Sequence, residues 1–199
     1  MKKPPVYKSI WIAMVWTCGL VSPASAIEVQ PTHEQVRQAL DRGKEAAAQR
    51  QAPDMFYTRF GSDDDPHAGG FLVTKIEGLS VMATHMALRG LEPSAADIAQ
   101  VMEAPTMLVS MVTLGDSPSF AADSYIVLDQ GEKIVKPVTV RVDGQASRSS
   151  AWPQSPMFRA KVVATFRYGD FDPNAKTIIT VFPSAGGEIR LAIDFAKID

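Results

Sequence analysis

The spacing of apolar residues changes once along this chain, and that change constrains the fold more than any other feature. Before Pro105 the apolar residues recur at helical spacing, as on one face of an amphipathic helix. After Pro105 they form short runs or alternate with polar residues, as in strands with one buried face. The sequence therefore predicts an α+β fold, with a helical region over 27–104 and an antiparallel β-sandwich over 105–199.

The first helix is expected over 32–51. Thr32 is a suitable N-cap, and Pro31 and Pro53 bracket the segment. The residues that follow, 55–70, are rich in glycine, aspartate and other turn formers, so we expect an irregular loop there.

Two further helices are expected before Pro105. The second ends at Gly90 after a basic residue, which is a common helix terminus, and its apolar stripe consists of Leu72, Ile76, Leu79, Met82, Ala83 and Met86. The third begins at Ser94, where Ser94 and Asp97 resemble a capping box. The sequence favours packing of all three helices on the sandwich but leaves open whether they form a separate domain.

Six strands are expected after Pro105, because apolar segments alternate with turn-forming residues. The predicted strands cover 106–114, 124–129, 134–142, 157–168, 177–182 and 188–195. Pro137 lies in the third of them and indicates an edge strand or a bulge, since proline cannot donate a ladder hydrogen bond. The size and strand spacing resemble those of an immunoglobulin-like domain in architecture only, because the paired cysteines of antibody domains are absent.

The first 26 residues have the three parts of a secretory signal peptide. A basic head precedes the apolar segment 10–21, and the small residues 24–26 match the site that signal peptidase cleaves. The apolar segment is shorter than the roughly 20 residues that a membrane-spanning helix needs. We therefore expect the peptide to be removed and the remaining chain to be exported, to the periplasm or the extracellular space.

Cys18, the only cysteine of the chain, lies within this signal peptide. The mature chain is therefore expected to have no disulfide, thiol nucleophile or thiolate metal site. Lipidation of Cys18 is the alternative, although Val15, Trp16 and Thr17 do not match the residues that usually precede a lipidated cysteine.

Charge excludes further classes of function. Removal of residues 1–26 takes away three lysines and no acid, so 17 basic side chains remain against 22 acidic ones, a formal charge of −5. A mildly acidic chain without a run of Lys and Arg is not expected to bind nucleic acid or an anionic lipid surface.

Two segments carry candidate metal ligands. Met82, His85 and Met86 are spaced to share one face of the second helix, and thioethers with an imidazole suit Cu(I). The alternative is that these methionines fill gaps in the core. The acidic run 63–65 with His67 offers ligands for Ca²⁺ or a transition metal, or else forms a solvated turn. Neither pattern is specific, and no cofactor is predicted.

Four aromatic residues are candidate binding residues. Phe56, Tyr57 and Phe60 cluster beside the acidic loop, and Trp152 lies in a polar connection between strands. Aromatic side chains on loops commonly anchor recognition surfaces, and they are as commonly packed against the core.

No local motif indicates catalysis. The chain contains no Gly-x-Ser-x-Gly elbow, His-Glu-x-x-His helix or glycine-rich phosphate loop. We therefore expect a non-catalytic binding or assembly module of the cell envelope or extracellular space, with a protein, peptide or glycan as partner. Such a partner can add to an edge strand or dock on exposed aromatic residues. The alternatives are a periplasmic copper-handling protein and a hydrolase with dispersed carboxylates.

Overall fold

The computed structural model describes residues 26–62 and 67–198. The predicted signal peptide up to residue 25, with Cys18, lies outside the described residues, as does the acidic run 63–65. Within the described ranges the chain forms three α-helices and ten strands in two antiparallel sheets. The mixed α and β composition predicted from the sequence is therefore confirmed. None of the described helices is both long enough and apolar enough to span a membrane.

The first and third helices begin at the predicted capping residues, and the second, for which no cap was predicted, begins after Thr74. The three helices are α1 (His33–Ala48), α2 (Lys75–Ala87) and α3 (Ala95–Met102). Each starts with a capping box, in which the N-cap hydroxyl and the third helical side chain satisfy free backbone N–H groups. The pairs are Thr32 with Gln35, Thr74 with Glu77, and Ser94 with Asp97. Helix α2 thus begins at Lys75 and excludes Leu72, which the apolar stripe had included.

Helices α1 and α2 pack closely because small residues face each other. The Ser80 hydroxyl donates a hydrogen bond to the Ala39 carbonyl at 3.0 Å, and the Thr84 hydroxyl donates to the Gly43 carbonyl at the same distance. A Cβ atom on Gly43 would lie 2.4 Å from the Ser80 carbonyl oxygen, so only glycine permits this approach.

The ten strands form two sheets in which every pairing is antiparallel. The strands are β1 (Thr58–Gly61), β2 (Gly69–Val73), β3 (Thr106–Gly115), β4 (Tyr125–Asp129), β5 (Ile134–Val135), β6 (Thr139–Val142), β7 (Ser147–Arg148), β8 (Phe158–Arg167), β9 (Lys176–Phe182) and β10 (Ile189–Asp194). The larger sheet has the order β1-β2-β3-β8-β6, with β7 also paired to β8, and the smaller sheet has the order β10-β9-β4-β5.

Strands β1 and β2 correct the prediction of an irregular loop over 55–70 and of an entirely helical segment before Pro105. Both strands belong to the larger sheet, where β2 pairs with β3. The glycines of this segment serve close strand pairing as well as turns, because a Cβ atom on Gly70 would lie 2.2 Å from the Ser110 carbonyl oxygen. Strand β3, distant in sequence, thus supplies the hydrogen bonds that make β2 a strand, and the local sequence does not predict this pairing.

Pro137 divides the predicted strand 134–142 into two. Strand β5 lies at an edge of the smaller sheet and β6 at an edge of the larger one, so the predicted edge position of the proline segment is confirmed. The short strand β7 was not predicted.

Both sheets contribute side chains to one buried cluster. Alternate residues of β8, namely Val162, Ala164 and Phe166, are fully buried, as are Ile126 of β4 and Ile179 of β9. The helices form a cluster of their own around Leu79. The predicted packing of all three helices on the sandwich is therefore not confirmed.

Candidate functional site

An open groove of about 630 Å³ is lined by residues of α2, of α3 and of the outer face of the larger sheet. Because Leu72 and Val162 point into the core, the neighbouring residues of their strands point outward into the groove. Apolar side chains dominate its lining: Phe71 and Val73 from β2, Leu108 from β3, Val163 from β8, and Val101 and Ala104 from the α3 end.

Tyr57 lines one side of this groove. Its ring stacks on that of Phe71 with a centroid distance of 4.4 Å and an interplanar angle of 12°. Tyr57 follows the short 3₁₀ turn Pro53–Phe56 and directly precedes β1, whose pairing with β2 brings the two rings together. Strand pairing and ring stacking thus fix this wall of the groove.

Lys75 closes another side by joining the two helices. Its Nζ donates a hydrogen bond to the Met102 carbonyl at 2.6 Å, in the last turn of α3, where a cation is favoured by the helix dipole. The same ammonium lies 5.2 Å from the centroid of the Tyr168 ring. Burial raises the pKa of the Tyr168 hydroxyl, so this part of the lining carries no negative charge at neutral pH.

The strands of the larger sheet contain basic residues and no acidic ones. The basic residues are Arg59, Arg141, Arg148, Arg159, Lys161 and Arg167. All except Arg148 alternate with core residues and therefore lie on the outer face. Lys161 lines the groove itself, and none of the described residues that line it is acidic. The groove therefore combines an apolar floor with positive charge at its rim.

The outer face of the smaller sheet differs in charge. It carries a second groove of about 660 Å³ whose lining includes Asp129, Lys176, Arg190 and Asp194. Arg190 donates a hydrogen bond to the Asp129 carboxylate at 3.2 Å, so charges on this face are paired with one another. This second groove is less apolar than the first, and its charges are balanced.

A smaller cavity of about 310 Å³ contains a buried acid. Glu77 accepts hydrogen bonds from the Thr58 hydroxyl and from the Thr74 backbone N–H, the latter at 2.6 Å. Burial raises the pKa of this carboxyl, while the hydrogen bonds oppose that shift. Arg42 and Lys197 line the same cavity, and no other described residue in its lining is acidic. The paired carboxylates that a hydrolase of the predicted kind needs are therefore not assembled around Glu77.

The predicted aromatic residues lie in different environments. Phe56 lines the Glu77 cavity, and Tyr57 lines both that cavity and the groove. Phe60 is only 6% exposed and packs in the core between the sheets, so its ring is not available at the surface. Trp152 is 40% exposed, contacts Phe158 edge to face at a centroid distance of 5.4 Å, and does not line the groove.

The candidate copper ligands Met82, His85 and Met86 all lie in α2. Met82 packs against the helical cluster, Met86 is half-buried, and His85 is exposed. Among the described residues, no three His, Cys, Asp or Glu side chains are grouped as metal ligands. The copper site at these positions remains a prediction. His67 is exposed, and its acidic neighbours 63–65 lie outside the described residues.

Sequence reasoning missed most of the groove lining. Phe71, Leu108 and Val163 come from three strands: Leu108 and Val163 were predicted in separate strands, and Phe71 lay between the predicted loop and the second helical stripe. The alternation along β8 was the available signal, since it placed Arg159, Lys161 and Arg167 on one exposed face. Comparisons of the chain with protein-family models, curated proteins and solved structures gave no match.

Proposed function

We propose that this protein is an exported, non-catalytic binding module whose ligand occupies the groove between the helices and the larger sheet. The apolar lining of that groove is the observation that supports the proposal. Its volume of about 630 Å³ falls within the range of small-molecule sites, which are lined mainly by apolar and aromatic side chains with a few polar groups. The ligand therefore has an apolar body.

The fold has a defined role in this proposal. Residues of α2, of the α3 end and of the outer face of the larger sheet border the groove together. The bond from Lys75 to the Met102 carbonyl holds α2 and α3 together beside the sheet. The predicted signal peptide supports export, so the ligand is met outside the cytoplasm.

Two observations favour this groove over the other cavities. The second groove carries the Arg190–Asp129 ion pair, and a ligand there would have to displace or accommodate paired charges. The Glu77 cavity is half as large and has a polar lining. An apolar body gains most free energy of transfer from water where the lining is apolar.

Titration of the exported protein with Nile red, a neutral apolar fluorophore, tests the proposal. We expect a saturable, blue-shifted emission at one probe per chain. Leu108→Asn places an amide in the apolar floor and is expected to weaken probe binding about tenfold, because apolar contact area is lost and a polar group must be desolvated.

Ile178→Asn is the matched control, since Ile178 is a half-buried aliphatic residue that lines the other groove. Circular dichroism and thermal melting establish that both variants fold. Non-saturable binding, or loss of binding in Ile178→Asn with full binding in Leu108→Asn, would show that the groove beside α3 is not the ligand site.

A further inference from the structure

We propose that the ligand of the groove is a single-chain anionic amphiphile, an alkyl carboxylate of the fatty-acid type, whose tail lies on the apolar floor and whose head meets Lys161 and Arg141. This inference rests on the proposed function, and it adds the charge and shape of the ligand.

The register places positive charge beside the apolar floor. Val163 pairs with Ser110 on one side and with Arg141 on the other, so Phe71, Ser110, Val163 and Arg141 form one row across four strands. Lys161 lies two residues before Val163 on the same face of β8. Neighbouring strands are about 4.8 Å apart and alternate residues of a strand about 7 Å apart. Both cationic side chains can therefore reach the head of a ligand whose tail lies over Val163.

These two cations have no carboxylate partner among the described side chains. Asp143 directly follows β6, and its carboxylate accepts a hydrogen bond from the backbone N–H of Lys161 at 2.8 Å. Neither the Lys161 ammonium nor the Arg141 guanidinium forms an ion pair within the described ranges. By contrast, Arg190 on the smaller sheet is paired with Asp129. On the larger sheet Arg59 is paired with Asp54, whereas Lys161 and Arg141 offer positive charge that an incoming anion can neutralise.

The charge balance of the whole chain strengthens this contrast. The mature chain is expected to carry a formal charge of −5, yet the strands of the larger sheet contain no acidic residue. A general electrostatic attraction of anions to this protein is therefore not expected, and selection for an anion has to arise locally at the groove. Lys161 and Arg141 can provide it because they border the apolar floor, whereas Lys75, the other cation of the lining, is bonded to the Met102 carbonyl.

The shape of the site favours a small amphiphile over an acidic peptide. A volume of about 630 Å³ corresponds to a small-molecule pocket, whereas specific protein partners usually cover roughly 800 Å² on each side. Between Phe71 and Val163 the floor is apolar except for the buried Ser110, which suits an unbranched alkyl chain better than a peptide backbone with its many hydrogen-bonding groups.

Displacement of Nile red by matched amphiphiles tests the assignment in the exported protein. Laurate, dodecanol and dodecyltrimethylammonium share an alkyl chain and differ in head charge. We expect laurate to displace the probe at about one-tenth of the dodecanol concentration, with the cationic amphiphile weakest, because charged hydrogen bonds form only with the carboxylate. Added salt should reduce the preference for laurate, since the two cations are exposed to solvent.

Variants at the two cations separate a role in recognition from a role in folding. Lys161→Gln and Arg141→Gln are each expected to weaken laurate binding about tenfold and dodecanol binding far less. Lys161→Arg should restore most of the laurate affinity. Lys176→Gln removes an exposed lysine from the smaller sheet and serves as the control, with laurate binding unchanged.

Each outcome supports or overturns a defined part of the argument. Equal displacement by laurate and dodecanol, or equal losses of both in Lys161→Gln, would overturn the assignment of an anionic ligand while leaving the groove as a binding site. Absence of saturable Nile red binding would instead overturn the proposed function. An acidic, leucine-containing peptide that binds through Lys161 and is not displaced by laurate would replace the amphiphile by a peptide ligand.

Discussion

Thr58 donates a hydrogen bond to the Glu77 carboxyl group, and this bond joins the first strand of the larger sheet to the first turn of α2. Glu77 also completes the capping box with Thr74, so one buried carboxyl satisfies a strand hydroxyl and a helix N-terminus. Helix α1 uses Gln35 in the same position, but there the side chain is partly exposed. Glu77 at the start of α2 therefore makes the stability of the fold depend on pH, which a glutamine at this position would not do.

Glu77→Gln is expected to remove part of the pH dependence of stability. Burial raises the pKa of Glu77 above 4.5, so the folded state binds this proton more tightly than the unfolded state does. The protonated Glu77 carboxyl stabilises the fold fully at pH values below the pKa of glutamate in the unfolded chain. This stabilisation is lost as the pH rises through the pKa of Glu77 in the folded protein. The unfolding free energy of the wild type should therefore fall, relative to that of the variant, as the pH rises from the ordinary pKa of glutamate through the raised pKa of Glu77.

Urea unfolding at several pH values measures this difference. Glutamine can keep the capping geometry, as Gln35 does in α1, so the variant is expected to fold. Arg42 and Lys197 line the same cavity and must be left unchanged in the comparison. Glu132→Gln, at an exposed glutamate in the turn between β4 and β5, is the control. A difference that stays constant with pH would contradict the prediction.

The elements that the sequence predicted well are those with local determinants. Capping residues such as Thr32 and Ser94 act within one turn of helix, and the alternation along β8 reflects its own two faces. The failure at β1 and β2 has the opposite cause. Glycine commonly occurs in turns, so Gly69 and Gly70 locally indicate a turn. They belong to a strand because they pair with β3, which is distant in sequence.

The candidate site was less predictable because it is assembled from distant segments. Tyr57 and Trp152 were both predicted as aromatic residues near loops, and no local pattern distinguishes them. Pairing of β1 with β2 is what stacks Tyr57 on Phe71, while Trp152 contacts Phe158 at another place. The charge contrast between the two sheets was hidden for the same reason, since it depends on which strands become neighbours.

Two glycine substitutions are expected to change stability in opposite directions. Gly43→Ala places a Cβ atom 2.4 Å from the Ser80 carbonyl and 2.7 Å from the Ala83 Cβ, so α1 and α2 must move apart. Overpacking of this kind costs about 1–3 kcal/mol. Gly78→Ala meets its nearest neighbour, Val101, at an ordinary 3.4 Å, and alanine favours a helix over glycine by about 1 kcal/mol.

Chemical denaturation of both variants measures the two effects on the same pair of helices. We expect the denaturation midpoint of Gly43→Ala to fall and that of Gly78→Ala to rise. A gain of stability in Gly43→Ala would mean that the contact between α1 and α2 is looser than the bonds from Ser80 and Thr84 indicate.

The predicted cleavage site can be checked against the core. Ile27 would be the first residue of the mature chain, and it is 2% exposed and packed in the cluster that both sheets share. Its backbone N–H donates a hydrogen bond to the Pro173 carbonyl at 3.3 Å. The small residues 24–26 lead us to expect that mass spectrometry of the protein expressed from the full sequence gives a chain that begins at Ile27.

Ile27→Ala is expected to lower the unfolding free energy by about 2–4 kcal/mol, because a buried aliphatic side chain leaves a cavity. Gln30→Ala, at an exposed residue of the same segment, is the control and should have little effect. An Ile27→Ala protein as stable as the wild type would show that this segment does not contribute to the core.

Tyr57 and Trp152 provide the sharpest comparison among the aromatic residues predicted to bind a partner. Tyr57→Ala removes the ring stacked on Phe71 and opens one wall of the groove, so Nile red affinity should fall several-fold. Tyr57→Phe keeps the ring and should bind the probe as the wild type does. Trp152→Ala removes an exposed ring outside the groove and should leave probe affinity unchanged. The reverse pattern, with loss of binding only in Trp152→Ala, would move the binding surface to the Trp152 and Arg148 side of the molecule, where a guanidinium lies 4.5 Å from the indole.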